Sequence, residues 1–254
     1  MRMLAPPGAF EPKITAYILS HRQSPGVLIG DEFVRTFEEP AAASMRYSVA
    51  AVEGRAMLVI NARIFRLREE LVAFHAGAVA IDDQAAVIVG PSMSGKSTTS
   101  LSLLMSDMSA HPLSDEFALV NCATGFVEPF PRLFSVRSGA RKLLGLGSFD
   151  MDWEAVDPAG LFSAGWSEGA QRSAFFFIVG KGRTANARPL PLSEAIFLAV
   201  GSALASTVES SHFRVVDHVI RGLSHSRLYA LTLGSPKENV ATIKRLTRAV
   251  EAIA

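Results

Sequence analysis

The chain has 254 residues, 49% of them hydrophobic, and 25 Lys and Arg set against 24 Asp and Glu give a formal net charge of +1. That length is ample for the core of one domain, or of one domain with a small appendage. Without a run of Lys or Arg there is no clustered basic face, which excludes a nucleic-acid footprint, and the single cysteine, Cys122, excludes a disulfide framework or a cysteine-built zinc site.

Low cysteine usage fits a reducing cytoplasm. Pro6-Pro7 interrupts the first ten residues, which lack the apolar segment of a secretory signal. The longest apolar stretch, Ala195 to Ala205, is too short to cross a bilayer and reads as a buried helix. The expectation is a soluble cytoplasmic protein with no membrane partner.

Residues 1–70 read as a small β-rich N-terminal region, in which Pro6, Pro7, Pro12, Pro25 and Pro40 punctuate short strands. Ile14 to Leu19 is one strand. Tyr47–Val52 and Ala56–Ile60 are a pair joined across Gly54, and Arg63 to Leu71 suggests a short helix. Residues 71–254 read as the main α/β domain. It opens with two apolar β runs, Val72–Ile81 and Ala85–Val89, joined at Asp82-Asp83-Gln84 as a hairpin. A helix then starts near Gly95, with Leu101, Leu104, Met105 and Met108 on one stripe at i, i+3, i+4, i+7. A strand follows at Phe117–Asn121, Thr124-Gly125 turns the chain, and Phe126-Val127 pairs back. Residues 131–172 have weak periodicity and read as loops with short helices, a place for substrate contacts. Ala174–Val179 is a buried strand, Lys181–Ala187 a polar loop, Glu194–Ala205 a helix and Leu228–Leu233 a strand. Ser235-Pro236-Lys237-Glu238 is a capping box with Pro at the first helical position. The terminal helix it opens puts Val240, Ile243, Leu246, Val250 and Ile253 on one face.

The chemistry is concentrated between the hairpin and the first helix. Gly90-Pro91-Ser92-Met93-Ser94-Gly95-Lys96-Ser97, followed by Thr98, matches G-x-x-x-x-G-K-[ST] at each fixed position. Gly90 and Gly95 permit backbone angles and approaches that a Cβ would block. The loop then aims its amides at phosphate oxygens, and the helix adds unpaired N–H groups and the positive end of its dipole. Lys96 neutralises β- and γ-phosphate charge, and the Ser97 hydroxyl ligates Mg²⁺. An apolar strand before the loop and an amphipathic helix after it are the context this motif requires, so the expected ligands are ATP and Mg²⁺.

Asp115-Glu116 follows the helix, just before the apolar run Phe117–Val120. A carboxylate at a neighbouring strand end can ligate Mg²⁺ or accept a hydroxyl proton. The segment before it, Ala110-His111-Pro112-Leu113-Ser114, is a poor strand. His75 interrupts the apolar run Val72–Ile81; brought beside Asp115 by the hairpin, it would orient that carboxylate.

Three segments together resemble the HPr kinase/phosphorylase superfamily, and most of all its smaller HprK-related kinase branch. They are Phe74-His75-Ala76-Gly77-Ala78-Val79, then Val87 through Thr98, then Leu113 through Val120. Pro129-Phe130-Pro131-Arg132 is similar to that branch as well. The resemblance covers about residues 70–140. It implies a fold like those of HPr kinase and phosphoenolpyruvate carboxykinase: a mixed, twisted sheet with flanking helices and a phosphate loop between a strand and a helix. It implies that Asp115 is the catalytic acid/base toward a serine hydroxyl, hydrogen-bonded by His75, and that Ser97 and Glu116 help hold Mg²⁺, beside the Mg²⁺ ligation that the position of Asp115 itself suggests. Members of the branch are associated with lasso peptide biosynthesis, where some phosphorylate the C-terminal end of a precursor peptide, and family members form oligomers.

One signature departs. HPr kinases carry a metal-binding glutamate and an arginine just before Gly-Leu-Gly, whereas Gly145-Leu146-Gly147 here follows Lys142-Leu143-Leu144. Arg132, Arg137, Arg141 and Lys142 are the remaining cations available to nucleotide or an anionic substrate group. The leading expectation is a kinase acting on a serine of a peptide or protein, for which a lasso precursor is one candidate. The competing readings are a kinase for a small metabolite and an ATP-binding recruitment module without transferase activity.

Overall fold

The computed structural model describes residues 16–19, 26–29, 32–35, 60–61, 68–107, 109–147, 153–161, 165–204 and 212–248. They belong to two compact units, one within residues 7–69 and a larger one from Glu70 onward. In the smaller unit, β1 (Ala16–Leu19), β2 (Gly26–Ile29) and β3 (Glu32–Arg35) form an antiparallel meander. The expected strands over residues 47–59 lie outside the described residues. Ile60 is helical rather than the end of a strand, and the expected helix over 63–71 lies outside them up to residue 67 and gives way to a turn and a strand after it.

The larger unit is a mixed α/β fold: a ten-stranded sheet covered by helices. Its strands are β4 (Leu71–Phe74), β5 (Ala76–Ile81), β6 (Gln84–Val89), β7 (His111–Ser114), β8 (Ala118–Asn121), β9 (Phe126–Glu128), β12 (Gln171–Lys181), β13 (Asn186–Pro189), β14 (Ala203–Leu204) and β15 (Arg227–Leu233). A separate ribbon pairs β10 (Phe134–Arg137) with β11 (Trp153–Val156). The helices are α1 (Lys96–Ser106), α2 (Ser138–Leu144), α3 (Pro158–Leu161), α4 (Leu192–Ala199), α5 (His212–Ser224) and α6 (Pro236–Arg248). Among the described residues no helix is long and apolar enough to cross a membrane.

The main body of the sheet runs β7-β5-β6-β12-β15-β13. In it β12 is parallel to both β6 and β15, and the other pairings are antiparallel. A wing, β14-β4-β8-β9, joins through β9, which pairs antiparallel with the first residues of β12. The central strands are apolar on both faces, as expected of strands covered on both sides. Alternation then sorts them. Val87, Val89 and Phe176 face a cluster containing Ala195 and Ala199 of α4 and Val219 and Leu223 of α5. Ile88, Phe175, Phe177 and Val179 face Leu101 and Leu104 of α1 and Val240 and Ile243 of α6. Phe175 and Phe177 stack with Tyr229 on the second face, while Phe176 meets Phe74 edge-on across the first.

The β5–β6 hairpin forms as expected, because Asp82 (φ 48°) and Asp83 (φ 61°) supply the two positive φ angles of a two-residue turn between paired Ile81 and Gln84. The expected single strand Val72–Ile81 is instead two. It breaks at His75, so that β4 pairs with β8 and β14 while β5 pairs with β6 and β7. Ala110–Ser114, a poor strand by sequence, is β7 at the sheet edge from His111 on, where Pro112 lacks no needed donor. Residues 131–172 hold the β10–β11 ribbon and the start of β12 as well as short helices. Helix α4 ends at Ala199, a 3₁₀ turn and β14 follow, and its outer face is open, with Phe197 80% exposed, so this helix is not buried all round. Met105 is exposed and Leu103 takes a buried place beside Leu101 and Leu104. The capping box forms as read: Ser235 N–H and Oγ both lie 2.8 Å from Glu238 Oε2.

Candidate active site

Three chain reversals meet at one edge of the sheet. The loop after β6 leaves from Val89. Because β5 is antiparallel to β6, Ala76 sits opposite Val89 and His75 stands beside the loop. Because β7 is antiparallel to β5, its end, Ser114, reaches the same edge and delivers Asp115-Glu116 there. Ligands of open α/β sheets bind in such a crevice, outside the carboxyl ends of parallel strands.

The loop itself is built by its glycines and by one strained residue. A Cβ on Gly90 would lie 2.6 Å from Val179 Cγ2 and 2.8 Å from Ser94 Oγ, so only glycine lets the loop leave β6 beside β12. Gly95 has φ 101°, and Met93 takes φ 61° without being glycine. Ser94 N–H donates to Pro91 O at 3.2 Å and closes the turn. No side chain caps α1, so its first-turn N–H groups keep the donor capacity of a bare helix start. Lys96 is buried, and its ammonium donates to Gly90 O at 2.9 Å and Pro91 O at 3.0 Å. Burial lowers its pKa, with Glu116 and Asp115 opposing that shift. Among the described residues no carboxylate lies within ion-pair distance of it.

Asp115 is 1% exposed. Its Oδ1 accepts from Ser97 Oγ at 2.9 Å and its Oδ2 from the Ser135 N–H at 3.2 Å. Burial pushes its pKa up to about 6; the Ser97 hydrogen bond resists, Glu116 adds to the rise, and the Ser135 amide and Lys96 resist as well. Gly77 on β5 makes room for this arrangement, since a Cβ there would lie 2.4 Å from Ser100 Oγ on α1 and 3.7 Å from Asp115 Oδ1.

A cleft of about 560 Å³ opens over the loop. One wall is Ser92–Thr98, the opposite wall is Ser135–Ala140 with Leu143, and His75 and Glu116 close one side. Asp115 is not among the lining residues. His75 Nδ1 lies 3.3 Å from Glu116 Oε2, and Glu116 holds φ 73°, a backbone conformation that costs a non-glycine residue about 1 kcal/mol or more. The partner of His75 is therefore Glu116, not Asp115 as the resemblance implies. The physical reason is that Asp115 turns inward to Ser97 and Ser135 while its neighbour turns out.

The expected basic contacts separate. Arg137 lines the cleft. Arg132 does not; its guanidinium sits over the Phe117 ring, 5.3 Å from the centroid, which accounts for it structurally. Arg141 Nη2 donates to Leu146 O at 2.5 Å. Gly145-Leu146-Gly147 ends α2: Gly145 (φ 68°) donates to Lys142 O at 3.3 Å and Leu146 to Arg141 O at 3.1 Å, a left-handed helix stop. Residues that sequence reasoning did not single out are Ser135, whose amide holds Asp115, and Leu143 and Gly139 in the far wall; the period-2 pattern Phe134, Val136 was the signal available for that strand.

No known family profile matches the chain, and no curated protein does. Among solved structures, the Hpr(Ser) kinase/phosphatase from Coxiella burnetii is similar at 13% identity and a TM-score of 0.35, over 71% of this chain and 93% of that one. A likeness that faint carries no weight for function.

The residues present suit a magnesium-bound nucleoside triphosphate on their own chemistry. A buried ammonium answered only by loop carbonyls is a ready partner for phosphate. Ser94 Oγ is buried with no hydrogen-bond partner at the same loop. Ser97 and Asp115 offer hard oxygen donors but no complete cage, and no cluster of three metal-binding side chains occurs among the described residues. Mg²⁺ commonly takes one or two protein oxygens and completes its shell with phosphates and water.

Proposed function

We propose that the protein is an ATP- and Mg²⁺-dependent kinase that transfers the γ-phosphate to a serine hydroxyl of a peptide or protein. The observation that carries this reading is the Ser97–Asp115 hydrogen bond, which joins the first turn of α1 to a buried carboxylate beside the cleft.

In this reading the amides of residues 90–98 and the start of α1 bind the phosphates. Lys96 leaves its carbonyl partners to pair with β- and γ-oxygens. Ser97 and Asp115 would hold Mg²⁺, which would supply charge neutralisation for the phosphates. The acceptor oxygen bonds to the γ-phosphorus as the bond to the β–γ bridging oxygen breaks, and ADP departs with that electron pair. The hydroxyl proton passes to the Asp115–Glu116 pair. Asp115 is enclosed by Ser97 and Ser135, so Glu116, facing the cleft with His75 at 3.3 Å, is the carboxylate positioned to receive it. Most of the acceleration comes from positioning and charge neutralisation.

The test is transfer of radiolabelled γ-phosphate from ATP to a panel of serine-containing peptides, including lasso precursors, and of small hydroxyl compounds. Label on a peptide, lost in Lys96→Ala and in Glu116→Gln, supports the reading. Label on a small molecule with no peptide present makes the protein a metabolite kinase. Nucleotide-dependent peptide binding with no phosphorylated product makes it a recruitment module. Unchanged transfer in Glu116→Gln, with transfer lost in Asp115→Asn, returns the proton to Asp115.

A further inference from the structure

We infer that Arg137 reads the terminal phosphate of the bound nucleotide, so that the cleft tells a nucleoside triphosphate from a diphosphate. This rests on the nucleotide reading of the same cleft. Five basic side chains come under consideration around it: Lys96 is the loop's own cation, already given to the β- and γ-oxygens, and the structure assigns three of the others elsewhere. Lys96 is anchored on Gly90 O and Pro91 O at the floor. Arg132 lies over Phe117. Arg141 donates to Leu146 O. Lys142 is exposed and is not among the lining residues. Arg137 alone lines the wall facing the loop, is exposed, and has no ion-pair partner among the described residues.

Its strand fixes which part of the ligand it meets. Phe134 and Val136 are fully buried, so β10 is locked to the core and its alternate residues, Ser135 and Arg137, face the cleft together. Two residues along a strand span about 7 Å, within the reach of an extended arginine. The Ser135 amide holds Asp115 Oδ2, and Asp115 Oδ1 holds Ser97 Oγ, the hydroxyl that would help hold the metal. Arg137 thus springs from the strand that fixes the end of the site where the γ-phosphate would stand, and lines the same cleft as Lys96. A planar guanidinium suits two phosphate oxygens at once.

Calorimetric titration of the full chain with Mg·ADP and with Mg·AMP-PNP tests this for the wild type, Arg137→Ala and Arg137→Lys. The expected result is that Arg137→Ala weakens AMP-PNP about tenfold or more while ADP changes less than about twofold, with Arg137→Lys between. Equal weakening of both nucleotides, or no change in either, overturns the inference. Wild-type protein that binds neither nucleotide overturns the nucleotide reading itself, and the two failures are told apart by that control. Arg137 is exposed, so the thermal midpoint of Arg137→Ala is expected to match the wild type.

Discussion

Replacing Asp115 by Asn is expected to stabilise the protein at pH 8 and to leave it nearly unchanged at pH 5. Asp115 binds its proton more tightly in the folded protein, at about pH 6, than in the unfolded chain, near the usual 3.8. The native state therefore loses stability as pH rises from about 4 to about 6, and above that the penalty is fully present. A rise of roughly two pH units corresponds to about 3 kcal/mol. Asn cannot ionise and escapes this penalty. Its carbonyl can still accept the Ser135 amide proton, but its NH₂ faces Ser97 Oγ, whose own proton loses its acceptor, at a cost of about 1 kcal/mol. At pH 8 the variant gains about 2 kcal/mol, which raises the melting midpoint by about 4–8 °C for a domain of this size. At pH 5 the unfolded carboxylate is already ionised while the native one is mostly protonated, so only about half of the penalty is present and the variant is about level with the wild type. Paired thermal melts at the two pH values measure the difference, and the other titrating groups cancel because both proteins share them. A gap between variant and wild type that is the same at pH 5 and pH 8 would refute the claim that this carboxylate ionises against burial.

Two further perturbations probe the frame around the site. Gly77→Ala sets a methyl 2.4 Å from the Ser100 hydroxyl and is expected to cost about 1–3 kcal/mol by denaturant unfolding. Ser100 Oγ is buried without a partner, so Ser100→Ala alone is expected to be neutral or stabilising and the double variant to recover most of the loss; no recovery would place the clash elsewhere. At Asp107, burial opposes ionisation, yet hydrogen bonds from Lys244 and Ser109 prevail and hold the carboxyl at about 2. This stabilisation is present above pH 4 and fades as pH falls through 2, so Asp107→Asn, where solvent screens the pair with Lys244, is expected to cost about 1 kcal/mol at pH 7 and little at pH 2.

The loop and the hairpin were legible because their chemistry is local. Asp82-Asp83 and the spacing from Gly90 to Ser97 each specify a backbone path within a few residues. What escaped depends on partners far along the chain. The run Val72–Ile81 is apolar on both sides of His75, and one histidine does not mark the point where one strand leaves β8 and the next joins β6. Strands β10 and β11 are four residues each, with a long Gly- and Ser-containing segment between them, too short to assert a period of two. Helix α5 was missed although Val215, Val219 and Leu223 recur at helical spacing; its polar residues outnumber them and Gly222 sits in its last turn, where its bare Cα lies against Val72. The different partners of Asp115 and Glu116 were not legible at all, because adjacent side chains diverge only once Ser135 arrives from another strand.

The branching at β12 bears on how the protein is made. This strand is bonded to β9 at its start, to β6 along one side and to β15 along the other, yet it begins at Gln171, long after the residues of the loop and both acids have been synthesised. Parallel pairing between segments so distant is slow to nucleate, because the intervening loop must close first. A nascent chain halted before Gln171 would expose the apolar edge of β6 to solvent and to its neighbours on the ribosome. The cleft should accordingly take shape late in translation and all at once, rather than as each part of it emerges.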